Sequence, residues 1–379
     1  MWHVSLVSGI CLLPDAISYS LLRKMQAIDA RFSAEEISVR AYAYESNALD
    51  PRVTTVNSVG ALLADRHFVQ SSVVIYEFGI YYGLFNSLLP VSDQVRKIVQ
   101  YHNITPEHLV EREEHKAAVR RGFRQKANLF LADTILADSE FNRRDLVDYG
   151  IEASRVQVLH LPLPDGFVPT RRPPSQPSEV EILFVGRFVP AKGVLDLVES
   201  VIAARARSIA PLRLTLAGDT TWADPDYMQT IAERIQSAQA GRYIRMAGNL
   251  AQADLLQAYR HAHILAIPSY HEGYCLPVIE GLSCGCVVVA TDAGNLPFIT
   301  NGLGRIVPAG DRGRLAEALA CISNAIAAGK PLHLDSGELS YAGFLERAFA
   351  YAGQFEFDSF AEKFARILRQ ELNLALAVR

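Results

Sequence analysis

The 379-residue sequence lacks a cysteine framework, a long hydrophobic run and an excess of charge of one sign. Its five cysteines form no C-x-x-C pair, which argues against a zinc site or disulfides and indicates reduced, buried thiols. No segment approaches the roughly twenty apolar residues that a membrane-spanning helix needs. The formal net charge of −4 gives no reason to expect nucleic acid as a partner.

Two further absences bear on the class of protein. Residues 1–16 lack the basic start and the unbroken apolar stretch of a secretory leader, so we expect a cytoplasmic protein, with contact at the inner face of the membrane left open. No G-x-G-x-x-G motif follows the first predicted strand of either half of the chain. Its absence argues against a nicotinamide-dependent dehydrogenase.

Short apolar runs alternate with helical patterns along the whole chain, which is typical of α/β proteins with parallel sheets and crossover helices. In the first half the predicted strands are 3–9, 37–43, 73–77, 97–102, 129–138 and 156–161. The predicted helices there are 17–27, 107–128 and 139–149. In the second half the predicted strands are 180–185, 213–217, 244–247, 264–267 and 287–290. The predicted helices there are 194–206, 226–238, 252–261, 276–283 and 312–328, and a last helical pattern covers 357–374.

A polar, proline-rich segment at residues 170–177 separates the two halves. Its composition is typical of a stiff linker. It divides the chain into an N-terminal domain of residues 1–172 and a C-terminal domain of residues 178–356, each long enough to bury its own core.

The most informative segment is residues 269–298, which contains two glutamates separated by seven residues. Glu272 precedes a short loop, and Pro277 then marks the first turn of a helix that contains Glu280. Backbone N–H groups at a helix N-terminus favour an anion, and carboxylates accept hydrogen bonds from hydroxyl groups. This combination suits a nucleotide sugar. The alternative is a glutamate that only complements the helix dipole.

Residues 184–193 bring two cations to the end of the first strand of the second half. Gly186 permits a sharp turn, and Arg187 and Lys192 follow at the carboxyl end of the strand, where ligands bind in open α/β sheets. Two cations there would stabilise the negative charge on a departing nucleoside diphosphate. The alternative is a solvated basic turn.

Polar residues also follow the strands of the first half. His102 ends a strand, and because a neutral imidazole both donates and accepts hydrogen bonds, we expect it to contact a sugar hydroxyl. The alternative is a histidine that is bound by loop backbone. Asp15 and Ser18 either contact the acceptor or cap the first helix, and Glu77 is a further candidate on the acceptor side.

Together these segments resemble glycosyltransferase family 4, the retaining enzymes also described as glycosyl transferases group 1. The two glutamates match the family's E-x7-E signature, and residues 186–193 match its G-R-x4-K-G motif. The resemblance implies the GT-B fold, in which two Rossmann-like, doubly wound parallel-sheet domains face each other across a cleft. It also implies that the helix within residues 357–379 packs back on the first domain.

The resemblance assigns roles to individual residues. Arg187 and Lys192 would hold the diphosphate, Glu280 the ribose and Glu272 the donor sugar, while His102 matches the histidine of the family's first domain. The other residues expected beside the nucleotide sugar are Gly186, Gly273, Tyr274, Cys275 and Leu276. Gly248 and Asn249 follow a strand and either lie against the base or form a plain turn. The chain departs from the family at Cys275, where glycine is common, and at Phe298, where many members have glutamate.

The function implied by the resemblance is retaining transfer of a hexosyl group from a UDP- or GDP-sugar to a saccharide or lipid-linked glycan. Such a reaction belongs to the synthesis of cell-envelope polysaccharides or glycoconjugates. We expect no metal and no other cofactor, because the basic residues would neutralise the diphosphate. Two alternatives remain, a non-catalytic nucleotide-sugar-binding subunit and a nucleotide-sugar epimerase with the GT-B fold. The oligomeric state stays open.

One helical pattern in the first half raises the question of membrane contact. Its basic side chains are Arg112, Lys116, Arg120, Arg121, Arg124 and Lys126. A basic helix face can dock on anionic lipid, which predicts peripheral membrane contact. Because glutamates are interspersed among these residues, an ordinary solvated helix face is the alternative.

Overall fold

The computed structural model describes residues 1–13, 15–168, 177–218, 220 and 223–378, which form two compact units. The first unit contains Met1–Pro162 and Glu356–Arg379, and the second contains Leu163–Phe355. The chain enters the second unit before the predicted boundary at residue 172, because the backbone N–H of Leu163 already donates to the carbonyl of Phe355, at 2.7 Å. Residues 170–176 of the predicted linker lie outside the described residues.

A parallel sheet of seven strands forms the centre of the first unit, in the order β5-β3-β1-β6-β7-β8-β9. A separate pair, β2 and β4, lies beside it. The strands of this unit are β1 (Trp2–Val7), β2 (Ile10–Cys11), β3 (Ile37–Ala43), β4 (Glu45–Ser46), β5 (Val53–Thr55), β6 (Val73–Phe78), β7 (Arg96–Tyr101), β8 (Thr134–Ala137) and β9 (Val156–Val158).

Helices cover both faces of this sheet. They are α1 (Ala16–Arg31), α2 (Val59–Ala64), α3 (Arg66–Val69), α4 (Glu113–Gln125), α5 (Glu140–Asp148) and the C-terminal helix Phe357–Val378. On one face, α1 and the C-terminal helix pack together over a core that includes Leu6, Leu21, Ile75 and Phe364. The core on the opposite face is rich in aromatic residues and includes Tyr76 and Phe85.

Two predicted elements of the first unit are wrong at their ends. The predicted helix 107–128 is a 3-10 turn at Glu107–Leu109, then α4, then a second 3-10 segment at Lys126–Leu131. The break occurs because the backbone is extended at Val110 and Arg112. The predicted strand 129–138 begins only at Thr134, because residues 129–131 still lie in the second 3-10 segment.

The second unit contains a parallel sheet of six strands in the order β12-β11-β10-β13-β14-β15. Its strands are β10 (Val180–Val185), β11 (Leu212–Ala217), β12 (Ile244–Gly248), β13 (Ile264–Ile267), β14 (Val287–Thr291) and β15 (Gly304–Val307), with the hairpin β16 (Leu332–Leu334) and β17 (Gly337–Leu339). Its helices are α6 (Val194–Arg205), α7 (Pro225–Ser237), α8 (Gln252–His261), α9 (Leu276–Ser283), α10 (Leu296–Thr300), α11 (Arg312–Ala328) and α12 (Tyr341–Ala352). Among the helices of the described residues, none is both long and apolar enough to cross a membrane.

The strand order explains where ligands can bind. Counted along the chain, the second sheet has the order 3-2-1-4-5-6, and the first has the same order with one strand added. This is the Rossmann order, in which the direction of winding reverses beside the first strand and leaves a crevice at the carboxyl ends. The switch point lies between β1 and β6 in the first unit and between β10 and β13 in the second. The prediction of two Rossmann-like α/β domains is confirmed.

Candidate active site

The switch point of the second unit brings together two residues that are far apart in sequence. Lys192 lies in a 3-10 turn that follows β10, and Glu272 lies in the loop that follows β13. The Lys192 Nζ atom is 2.7 Å from Glu272 Oε1. The sequence predicted both residues for the donor side, and the structure pairs them directly.

The backbone around Lys192 fixes this pairing. The N–H of Tyr270 donates to the carbonyl of Ala191 at 2.8 Å, which ties the turn to the loop that carries Glu272. Gly193 follows with a φ of +63°, and a Cβ atom there would overlap the carbonyl of Pro268. Only glycine combines that left-handed backbone with so close an approach.

Glu272 is a buried carboxylate held by two donors. Lys192 and the Ser269 hydroxyl, which donates at 2.7 Å, both contact Oε1. Burial alone would raise the pKa of Glu272, but the Lys192 ammonium and these hydrogen bonds hold the pKa below its usual value. Glu272 is therefore ionised at neutral pH and can accept hydrogen bonds from hydroxyl groups.

The loop after Glu272 leads directly into α9. Asn295 clamps it, because its backbone N–H donates to the carbonyl of Glu272 at 2.8 Å and its side-chain amide donates to the carbonyl of Tyr274 at 2.9 Å. Cys275 has a φ of +73° and starts the helix without a side-chain cap, with Leu276 and Pro277 in the first turn. A helix start of this kind leaves backbone donors for an anion. The departure from glycine at Cys275 thus places a non-glycine residue in left-handed backbone.

Glu280 lies inside α9 in a different environment. Its carboxylate is buried and accepts a hydrogen bond from the Tyr259 hydroxyl at 2.6 Å. Burial raises the pKa of Glu280 to about 7, although the hydrogen bond from Tyr259 lowers it. Glu280 therefore exchanges its proton close to neutral pH.

The remaining donor-side candidates lie at neighbouring strand ends and in the loop. Gly186 follows β10, where its N–H donates to Ala217, and Gly248 ends β12, where its carbonyl accepts from the N–H of Gly218 at 2.9 Å. Arg187 and Asn249 are exposed, and Gly273 is half-buried. Phe298 is 42% exposed on α10.

In the first unit, His102 is enclosed by two carboxylates. Its Nε2 lies 2.7 Å from Glu77 Oε2, and its Nδ1 lies 2.7 Å from Asp138 Oδ2. Glu77 also receives a hydrogen bond from the fully buried ammonium of Lys24 at 2.9 Å. Both ring nitrogens of His102 therefore face carboxylate oxygens and not loop backbone, and the expected contact with a sugar hydroxyl stays a prediction. Burial alone would lower the pKa of His102, but Asp138 and Glu77 raise it to about 9.

Asp15 and Ser18 cap the first helix, which was one of the two roles predicted for them. The Asp15 side chain accepts hydrogen bonds from the backbone N–H and the hydroxyl of Ser18, at 2.9 and 3.0 Å. Ser18 is fully buried. Such a cap stabilises a helix by about 1 kcal/mol.

The predicted basic face of α4 is partly neutralised. Arg120 pairs with Glu107 and Glu113 at 2.7 and 2.8 Å. Lys126 is buried against Asp145, so it does not belong to an exposed face, contrary to the prediction. Membrane contact stays a prediction.

Five residues of these sites were missed in the sequence: Lys24, Asp138, Tyr259, Ser269 and Asn295. Lys24 follows Ser20 by one helical turn on the buried stripe of α1, a signal that could have been found, and it donates to Ser20 at 2.6 Å. Asp138 directly follows a strand, as does His102. Within the described part of the chain, no group of three or more histidine, cysteine, aspartate or glutamate side chains is arranged to hold a metal ion.

Residues 179–324 match the protein family described as Glycosyl transferases group 1. Over 179 residues, 44% of the chain, the sequence is 30% identical to a D-inositol 3-phosphate glycosyltransferase of Kineococcus radiotolerans and covers 41% of that protein. Over 191 residues, 48% of the chain, it is 26% identical to the O-antigen chain mannosyltransferase B of Escherichia coli and covers 49% of it. The chain thus spans less than half the length of these curated relatives.

Solved structures resemble the whole chain. The structure of Anabaena HepE in complex with UDP-glucose matches with a TM-score of 0.73 at 17% identity, over 97% of this chain and 99% of HepE. The sucrose-phosphate synthase of Thermosynechococcus elongatus matches with a TM-score of 0.70 at 19% identity, over 98% of this chain and 99% of that one. At these identities the likeness shows the fold. Residues 179–324 of this chain are thus similar to the glycosyl transferases group 1 family, and the fold of the chain is GT-B.

Proposed function

We propose that the protein is a retaining, metal-independent glycosyltransferase of family 4. It would move a hexosyl group from a UDP- or GDP-sugar to a hydroxyl of a saccharide or lipid-linked glycan. The observation that carries this proposal is the Lys192–Glu272 pair, 2.7 Å apart, beside the uncapped start of α9. One cation, one ionised carboxylate and a row of backbone donors suit a ligand that has both phosphates and sugar hydroxyls.

In this proposal Lys192 exchanges its contact with Glu272 for a contact with the diphosphate of the bound nucleotide sugar. The ammonium is still partly accessible, with 19% of its side chain exposed, so an incoming phosphate can reach it. Arg187 and the backbone N–H groups at Cys275 and Leu276 supply further positive charge. These groups would stabilise the charge that develops on the leaving diphosphate, which is the usual role of such donors in transfer reactions.

The two glutamates would hold the sugar rings. Glu272 is ionised and accepts hydrogen bonds from the hydroxyls of the donor sugar, and Glu280 accepts them from the ribose. Because Glu272 Oε1 already contacts both Lys192 and Ser269, we assign this residue a positioning and electrostatic role and not that of a nucleophile.

The reaction breaks the bond between the anomeric carbon and the diphosphate oxygen and forms a bond from that carbon to the acceptor oxygen on the same face. The nucleoside diphosphate leaves with the electron pair of the broken bond, and the acceptor hydroxyl gives its proton to an oxygen of that departing diphosphate. The basic residues neutralise the diphosphate, which is the role that a divalent metal has in other transferases.

The comparisons support this class of substrate. One relative is named a D-inositol 3-phosphate glycosyltransferase and another an O-antigen chain mannosyltransferase, and HepE was solved with UDP and with UDP-glucose. We therefore propose that the acceptor is a glycan or glycolipid of the cell envelope, used at the cytoplasmic face of the membrane. The first unit, with Asp15, Ser18, Glu77 and His102, would serve the acceptor.

The experiment compares Lys192→Ala and Glu272→Ala with the matched surface variant Lys330→Ala. Release of UDP and GDP is measured over a set of hexose donors and glycan acceptors, and the products are identified by mass spectrometry. We expect a loss of at least about 100-fold in Lys192→Ala, since one such donor is worth about that factor. We also expect a loss of activity in Glu272→Ala, which removes the acceptor for the sugar hydroxyls, and no loss in the control. Full activity in both site variants overturns the proposal. Binding of UDP without turnover would indicate a non-catalytic subunit. Conversion of the nucleotide sugar to another nucleotide sugar, in a reaction that contains no acceptor, would indicate an epimerase.

A further inference from the structure

The first unit contains a continuous row of buried charged side chains at the carboxyl edge of its sheet. Lys24 comes from α1, Glu77 from β6, His102 follows β7 and Asp138 follows β8. The successive contacts are 2.9 Å from Lys24 to Glu77, 2.7 Å from Glu77 to His102 and 2.7 Å from His102 to Asp138. The row includes the switch point, where ligands bind in sheets of this order.

The acceptors around the ring determine its protonation. An ionised carboxylate only accepts hydrogen bonds, so each ring nitrogen that faces one must carry a hydrogen. Both nitrogens of His102 face carboxylates, and a ring with two N–H groups is an imidazolium. The side chains of Glu77 and Asp138 are 0% and 2% exposed, so water does not compete for these contacts.

The sum of the charges on Lys24, Glu77, His102 and Asp138 also indicates that His102 is an imidazolium. With a charged His102, the row contains two cations and two anions and is neutral. With a neutral His102, one negative charge would remain without compensation among buried groups, which is costly. Gln100 adds a hydrogen bond from its amide to Asp138 and so orients that carboxylate further.

We propose that Lys24, Glu77 and Asp138 are positioning residues that hold His102 as a fixed imidazolium, so that this histidine supplies positive charge and does not accept a proton. If the protein has the proposed function, a fixed imidazolium at residue 102 means that His102 is not the base that removes the proton from the acceptor hydroxyl. The charge assignment itself depends only on the first unit.

Other titratable groups surround this row and enter any measurement of pH dependence. They are Cys11, Asp15, Tyr82, Glu140, His160 and Lys363. His160 contacts Asp138 directly, because its Nδ1 lies 2.7 Å from the Asp138 carbonyl, and burial lowers the pKa of His160. His160 therefore titrates below His102, and the two signals separate by pH.

The test is an NMR titration of histidine side chains labelled with ¹³C at Cε1, in the 379-residue protein. The sequence has ten histidines, and the signal that disappears in His102→Gln identifies residue 102. We expect the wild-type signal of His102 to have its midpoint near pH 9. A wild-type midpoint below about pH 7, close to the value for free histidine, overturns the proposal without any further variant.

One substitution that removes an anion and one that removes a cation distinguish an effect of charge on His102 from a general disruption of the local structure. Asp138→Asn removes an anion and should lower the midpoint by about 1 to 3 pH units, whereas Lys24→Met removes a cation and should not lower it. If both variants moved the midpoint to about 6.5, the row would be merely structural and the proposal would be wrong.

Activity supplies a second readout. Above its lowered midpoint, Asp138→Asn should lose kcat/KM as pH rises, because the imidazolium is lost. If His102 were a base, kcat/KM would rise over the same range, and that result contradicts the proposal. If the wild type shows no transfer with any donor, the proposed function fails while the NMR titration still decides the charge of His102.

Discussion

Glu272 and Glu280 occupy the same buried segment of the second unit but have different neighbours. Glu272 faces the ammonium of Lys192, which holds its pKa below the usual value even though burial acts in the opposite direction. Glu280 faces the phenol of Tyr259, and burial raises its pKa to about 7. Burial is common to both residues, so the identity of the partner decides whether the pKa ends above or below its usual value.

The environment of Glu280 predicts a change of stability with pH. The pKa of Glu280 is about 7 in the folded protein and 4.5 for an unperturbed glutamate, the value we take for the unfolded chain. Between these two pH values the folded protein keeps a proton that the unfolded chain releases. The free energy of unfolding should therefore fall as pH rises from 4.5 to 7, by about 3 kcal/mol from this residue. We expect Glu280→Gln to remove that fall, measured by urea unfolding at several pH values. The exposed substitution Glu346→Gln is the control, and an equal pH dependence in wild type and Glu280→Gln would contradict the assignment.

Gly193 predicts a second effect at the scale of one residue. In Gly193→Ala, the new Cβ meets the carbonyl of Pro268 in left-handed backbone that disfavours alanine by roughly 1 to 2 kcal/mol. The turn has to move, and Lys192 moves with it, so donor binding should weaken more than stability. Calorimetric titration with UDP and GDP measures the first effect and thermal unfolding the second. Gly241→Ala is the matched control, because no atom lies within 4 Å of its added Cβ, and equal nucleotide affinity in both variants would be evidence against this account.

At the scale of elements, the C-terminal helix shows what a pattern in the sequence can and cannot predict. Its apolar periodicity predicted a helix, and the structure has one at Phe357–Val378. That it packs on α1, from the opposite end of the chain, followed only from the family resemblance. The buried contacts of Phe360 and Phe364 with the sheet core make it part of the first unit.

This packing predicts the cost of removing one ring. Phe364 is fully buried between α1 and the sheet, so Phe364→Ala should lower the free energy of unfolding by about 3 to 5 kcal/mol. Leu376→Ala on the same helix is the control, since Leu376 is 57% exposed and should change stability by less than about 0.5 kcal/mol. The measurement is the midpoint of urea unfolding. A loss below 1 kcal/mol for Phe364→Ala would mean that the helix does not contribute to the core as described.

At the scale of the whole molecule, the sequence predicted the α/β class and most buried strands, because alternating apolar and helical segments are a local signal. It did not predict the short edge strands β5 and β15, nor the break in the helix at 107–128, where tertiary packing decides. For the donor site it identified Lys192 and Glu272, which match motifs. It missed Asn295 and Lys24, because their contacts join segments that are distant along the chain.

Measurements on both units together test where a nucleotide binds. A ligand that binds only the folded protein stabilises it by about 2.7 kcal/mol at a hundred times its Kd, which for a unit of this size raises the Tm by roughly 5 to 10 °C. We expect UDP or GDP to produce this shift and to slow hydrogen exchange at residues 186–193 and 272–280, while residues 96–102 of the first unit exchange as before. Lys192→Ala should abolish both effects, and Lys330→Ala should leave them intact. Protection confined to the first unit would contradict the donor site, because the pairing of Lys192 with Glu272 and the uncapped start of α9 both lie in the second.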